Sequence, residues 1–81
     1  MKLPRDLSGR EFARLLRRYG YEEIRQSGSH VRLRSTMMGK EHQVTVPAHE
    51  SLKVGTLSGI LTELAAYLEK SKESLAEELF G

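Results

Sequence analysis

The chain reads as an α+β domain with the element order α-β-β-β-α. Three antiparallel strands form one sheet, two long helices cover one of its faces, and a short helix follows. Three observations predict this. Residues 8–19 and 57–68 place apolar side chains at the 3.6-residue period of a helix, whereas residues 30–34 and 42–46 alternate with period two. Turn formers separate the strand-like runs, first Ser27-Gly28-Ser29 and then a loop containing Gly39. A sheet made of hairpins and covered by helices on one side leaves its other face to solvent.

The first helix starts with Ser8-Gly9-Arg10-Glu11, which fits a capping box with Ser8 as N-cap and Glu11 three residues on. Phe12, Leu15, Leu16 and Tyr19 then recur at i, i+3, i+4 and i+7 as one apolar stripe. Gly20 follows where a left-handed residue ends a helix well. Arg10, Arg14, Arg17 and Arg18 lie off the stripe and form a cationic outer surface.

The first strand spans residues 21–26, with Ile24 expected to point inward. In the second, residues 30–34, Val31 and Leu33 point to the core, so His30, Arg32 and Arg34 share the open face. Residues 36–40 make the next hairpin loop, with Met37 and Met38 at its tip, either seated against a partner or covering a sheet edge. The third strand, residues 42–46, turns Val44 and Val46 inward and Gln43 and Thr45 outward. Pro47 ends it, because proline has no N–H for the ladder.

After a loop over residues 48–55, Thr56 is the expected N-cap of a second helix. Its stripe is Leu57, Ile60, Leu61, Leu64, Ala65 and Leu68. Gly59 in its first turn costs roughly 1 kcal/mol against alanine. Either close backbone packing or access for a ligand would favour it there. A last helix, from about Lys72 to Phe80, is expected to fold back through Leu75, Leu79 and Phe80. The whole chain, 1–81, is read as one domain with its core over about 3–68 and an acidic helical tail over 69–81.

Eighty-one residues suffice for one small core and no more. The chain has no cysteine, which excludes disulfides and thiolate zinc sites. No segment resembles a signal peptide or reaches the roughly 20 apolar residues that span a bilayer, so a cytoplasmic protein without membrane attachment is expected. The net charge of +2 is uneven. Residues 1–40 hold ten Lys/Arg against four Asp/Glu, and residues 41–81 hold three against seven. This lopsidedness fits a basic face for nucleic acid, but it also occurs in small domains without consequence.

His30 is the chief candidate for chemistry. It follows a tight glycine turn at a sheet edge, beside two fixed cations. A titratable group near neutrality next to guanidinium groups suits the breaking of a phosphodiester in a polyanion. An ordinary exposed strand residue would sit in the same place, and position alone does not decide between the two. Arg32 and Arg34 can hold phosphate in forked hydrogen bonds. The backbone N–H groups around Gly28 and Ser29 offer a small anion-binding concavity, and the Ser29 hydroxyl either supports catalysis, by polarising His30 or binding phosphate, or is turn chemistry, as serine beside glycine above all is. His49 is either the complementary acid or a loop-holding group, and His42 is given no role. Tyr19 belongs to the core stripe, which leaves Tyr21 as a candidate for stacking on a base. Three histidines without cysteine or an acidic cluster at ligand spacing do not suggest a zinc site.

Three motifs fall in order: Gly28-Ser29-His30, then Val46-Pro47-Ala48-His49, then Gly55-Thr56-Leu57 leading to Ile60-Leu61. Together they resemble the HicA (YcfA-like) toxin family, the mRNA-cleaving half of a bacterial type II toxin–antitoxin pair, over about residues 3–68. The resemblance implies a double-stranded-RNA-binding-domain-like fold, in agreement with the α-β-β-β-α order. It also implies an endoribonuclease that needs no metal or other cofactor and is centred on His30, with mRNA as substrate. The implied partner is a HicB-like antitoxin that occludes the active face. This chain differs from the pattern at Ser58-Gly59, where relatives often carry basic residues, and in lacking a glycine break after Leu64.

The rival reading is a non-catalytic double-stranded-RNA-binding module of the same fold. Such binders begin their last helix with lysines, and Thr56-Leu57-Ser58-Gly59 has none, which favours the enzyme. A third reading is a small protein-interaction domain that uses the apolar hairpin tip.

Overall fold

In the computed structural model, which describes residues 2–81, helix α1 spans Gly9–Leu15. The capping box closes as expected. Ser8 Oγ accepts the Glu11 N–H at 3.0 Å, and the Glu11 carboxylate accepts the Ser8 N–H at 2.9 Å. The helix then tightens into a 3-10 turn over Leu16–Tyr19. At three residues per turn, Leu16 and Tyr19 lie one above the other, and both are buried, while Leu15 is left half-exposed. Gly20 ends the turn with φ +79°, the left-handed conformation glycine adopts without cost.

The sheet has the order β1-β2-β3, all antiparallel, with β1 at Glu22–Ser27, β2 at His30–Ser35 and β3 at His42–Pro47. On its inner face Val31 pairs with Val46 and Leu33 with Val44, all four buried. Each such aliphatic side chain contributes about 1.5–3 kcal/mol by leaving water. That gain fixes the parity of both strands and so assigns His30, Arg32 and Arg34 to the opposite face.

Strand β1 departs from expectation. Ile24, predicted to face inward, is 41% exposed. The ladder pairs Glu23 with Leu33 and then Arg25 with Arg32, leaving Ile24 as the extra residue of a β-bulge. The reason lies one residue before the strand. Tyr21 is wholly buried, and residues 21 and 24 cannot share a face of a regular strand because their spacing is odd. The bulge lets the larger side chain enter the core, where Tyr21 Oη lies 2.7 Å from His42 Nδ1. Burial pushes the Tyr21 phenol well above its usual pKa. Its ring is therefore a core group, which overturns its reading as a platform for a base. Tyr67 completes the cluster, stacked on His42 at 4.9 Å.

Helix α2 spans Val54–Leu68 and starts before Thr56, the N-cap expected from sequence. Leu52 is buried and its N–H donates to the Leu7 carbonyl at 2.8 Å, which pins the chain so that the helix can begin directly afterwards. Lys53 takes the cap position in extended conformation, without a side-chain hydrogen bond. The predicted stripe is buried throughout, together with Tyr67. A Cβ on Gly59 would meet nothing within 4 Å, so close packing is not what favours glycine there. Helix α3, Lys72–Phe80, is capped by the Ser71 hydroxyl and folds back to bury Leu75, Ala76 and Leu79 in the common core. Tyr19 Oη donates to the Glu78 carboxylate and Arg18 to the Glu78 carbonyl, tying α3 to the end of the 3-10 turn.

Candidate active site

The site is built at the end of the sheet where β1 turns into β2. Gly28 and Ser29 form a two-residue hairpin loop between the paired residues Ser27 and His30. Gly28 takes φ +58°, which suits glycine at the first central position of such a turn. A loop this short leaves no slack, so it fixes the register of everything behind it. Counting back from the turn, Gln26 faces Val31 and Arg25 faces Arg32. Gln26 therefore lies toward the helices, where its Oε1 accepts from Arg10 Nη2 at 2.9 Å. Arg25 lies toward the open face.

On that face Arg25, Ser27, His30, Arg32 and Thr45 line a groove of about 270 Å³. His30 is exposed at its edge, with Ser27 on one side and Pro47 on the other. Arg32 is half-buried, and its Nη1 donates to Gln43 Oε1 at 3.3 Å, which steadies the guanidinium over the sheet. Arg25 and Arg32 stand directly opposite each other across the strand pair. Like charges in that arrangement are destabilising. Among the described residues neither forms an ion pair with a carboxylate.

Arg34 is also on the open face, but it is not one of the groove's lining residues. Its cross-strand neighbours are Glu22 and Gln43, and its Nη1 is 3.9 Å from Glu41 Oε1. The open face thus changes character along its length. The turn end carries unpaired cations around an imidazole, while the other end has its arginine beside two carboxylates.

His49 is exposed and lies outside the groove's lining. Its backbone is firmly held, since its carbonyl accepts the Gly9 N–H at 2.9 Å and the preceding Ala48 N–H donates to the Ser29 carbonyl at 2.6 Å. Those two bonds tie the end of β3 to both the Gly28-Ser29 turn and the start of α1. Among the described residues no three His, Asp or Glu side chains gather as metal ligands. The groups the groove offers a bound molecule are imidazole, guanidinium and hydroxyl.

Arg25 is the residue that sequence reasoning missed. A signal for it existed, because the two-residue turn after Ser27 already sets Arg25 opposite Arg32.

The free face of this α-β-β-β-α sheet thus carries a histidine and two arginines that, among the described residues, have no carboxylate partner. The family model described as the HicA toxin of bacterial toxin–antitoxin systems matches residues 9–65, and the chain belongs to that family. It is therefore the toxin component of such a pair. No curated protein and no solved structure matches the chain. No helix among the described residues is long and apolar enough to cross a membrane.

Proposed function

We propose that this toxin is an endoribonuclease that cuts mRNA in the cytoplasm without a metal ion, and that a HicB-like antitoxin silences it by covering the open face of the sheet. One observation carries the reading: His30 shares an exposed groove with Arg32 and Arg25 on a sheet face that no helix covers.

RNA holds its own nucleophile. The 2′-hydroxyl attacks the adjacent phosphorus, the bond to the 5′-oxygen breaks, and a 2′,3′-cyclic phosphate forms. The protein has to take a proton from the 2′-oxygen, give one to the departing 5′-oxygen and hold the charge that builds on the phosphoryl oxygens. His30 performs one of the proton transfers, worth roughly 10²–10⁴-fold in rate. Arg32 holds phosphoryl oxygens in a forked hydrogen bond, and Arg34, outside the groove and beside Glu22 and Glu41, meets the RNA backbone further along the same face. The amide groups of Gly28 and Ser29, in the turn that precedes His30, favour an anion beside it.

The second proton transfer needs a partner group. His49 is the candidate, carried just past the residue that pairs with His30 and held there by the Gly9 and Ala48 hydrogen bonds. The Ser29 hydroxyl, one residue from His30, supports the site by polarising that imidazole or binding phosphate.

The test is incubation of the purified protein with single-stranded RNA in EDTA. The nuclease shortens the RNA under these conditions. A non-catalytic binding module would retard the RNA without shortening it, and that result would overturn the proposal.

A further inference from the structure

Arg25 and Arg32 oppose each other with no carboxylate to balance them, although carboxylates are close at hand. Glu22 stands opposite Arg34 on the same face, and Glu41 adds a second acid there. Across β1, Arg10 is engaged by Gln26. At the turn end, by contrast, two arginines face each other in register with no carboxylate partner among the described residues, and both line the groove that holds His30. Two facing cations are unfavourable in the empty protein and become favourable once an anion lies between them.

We propose that Arg25 and Arg32 form a two-guanidinium clamp for one phosphate of a single RNA strand, namely the neighbour of the phosphate that reacts at His30. The assignment to the neighbour follows from register. His30 lies two residues along β2 from Arg32, and so diagonal to Arg25 rather than opposite it. An anion between the arginines is then displaced along the sheet from the imidazole. Arg25 acts in binding: it holds the strand through the phosphate next to the reacting bond. This proposal rests on the nuclease reading for the identity of the reacting phosphate, but the clamp itself is read by binding alone.

The experiment compares His30→Ala with His30→Ala/Arg25→Ala. Each binds a fluorescently labelled uridine oligoribonucleotide over a range of salt concentrations, and thermal melting is followed with and without inorganic phosphate. The clamp predicts that loss of Arg25 weakens RNA binding at least about tenfold and lowers the log–log salt slope by about 0.7, the value for one single-strand phosphate contact. It also predicts a melting temperature equal to or above that of the parent, because the facing charges are relieved, and a smaller rise with phosphate. In the His30-containing protein, Arg25→Ala raises KM and leaves kcat within a few-fold, and Arg25→Lys restores part of the loss.

Equal RNA affinity and salt slope in the two proteins would overturn the clamp. So would absence of RNA binding by His30→Ala, since the arginines remain in it. If the wild-type protein leaves RNA intact, the nuclease reading falls while the binding comparison still decides for or against the clamp.

Discussion

A Cβ on Gly9 would lie 1.8 Å from the carbonyl oxygen of Pro47. The first turn of α1 thus rests directly on the end of β3, backbone against backbone, and the Gly9 N–H donates to the His49 carbonyl. Pro47 in turn pairs with His30. The glycine therefore sets the height of the strand beside the candidate catalytic residue.

Gly9→Ala should accordingly harm both stability and activity. The clash is with backbone, which cannot swing aside as a side chain would, and overpacking of this kind costs about 1–3 kcal/mol. In a domain of this size each kcal/mol lowers the melting temperature by roughly 4–8 °C. Thermal melting checks the first effect and RNA cleavage at a temperature where the variant is folded checks the second. An unchanged melting temperature would mean that the contact is looser than described.

Tyr67→Phe should separate stability from function. The Tyr67 hydroxyl accepts the Met38 N–H at 3.1 Å and donates to the Lys40 carbonyl, closing the hairpin loop between β2 and β3. Removing it leaves those groups without their partner, at a cost of about 1–3 kcal/mol. His30 is at the other end of β2, about 17 Å away at the usual rise per residue. Chemical denaturation should show the loss, and cleavage by the folded variant should stay within about twofold.

Stability should fall at alkaline pH through Tyr19. Its phenol is pushed from 10 up to about 12, first by burial and then by its hydrogen bond to Glu78. The folded state favours the neutral phenol, so its contribution is fully present below pH 10 and is lost as the pH rises toward about 12. Urea midpoints measured below pH 10 and near pH 12 should differ, and Tyr19→Phe should remove part of that difference. Tyr21, also raised by burial, adds to the loss from pH 10 upward. A midpoint independent of pH over this window would show that neither phenol is held as described.

Much of the architecture was legible in sequence because the signals were local or strictly periodic. The Ser8–Glu11 capping box, the stripe of α2 and the inward parity of Val31, Leu33, Val44 and Val46 all depend on spacing within one element. The misreadings share a different origin. Ile24 read as a core residue because nothing nearby announced that Tyr21 would take the core position and force a bulge. Thr56 read as a cap because the pin that starts α2 early is a hydrogen bond from Leu52 to Leu7, remote in sequence. For Gly9 the reason for glycine is the approach of Pro47, which only the folded chain brings near. The His30–Arg32 face was readable from alternation alone, whereas Arg25 required the register of the turn.

The most direct test of the account is the single-turnover cleavage of a labelled RNA in EDTA by the wild-type protein and by His30→Ala. With His30 carrying one proton transfer, the variant should lose at least about 100-fold in rate, with an unchanged melting temperature, and wild-type products should end in 2′,3′-cyclic phosphate. A folded His30→Ala protein that cleaves at the wild-type rate would contradict it.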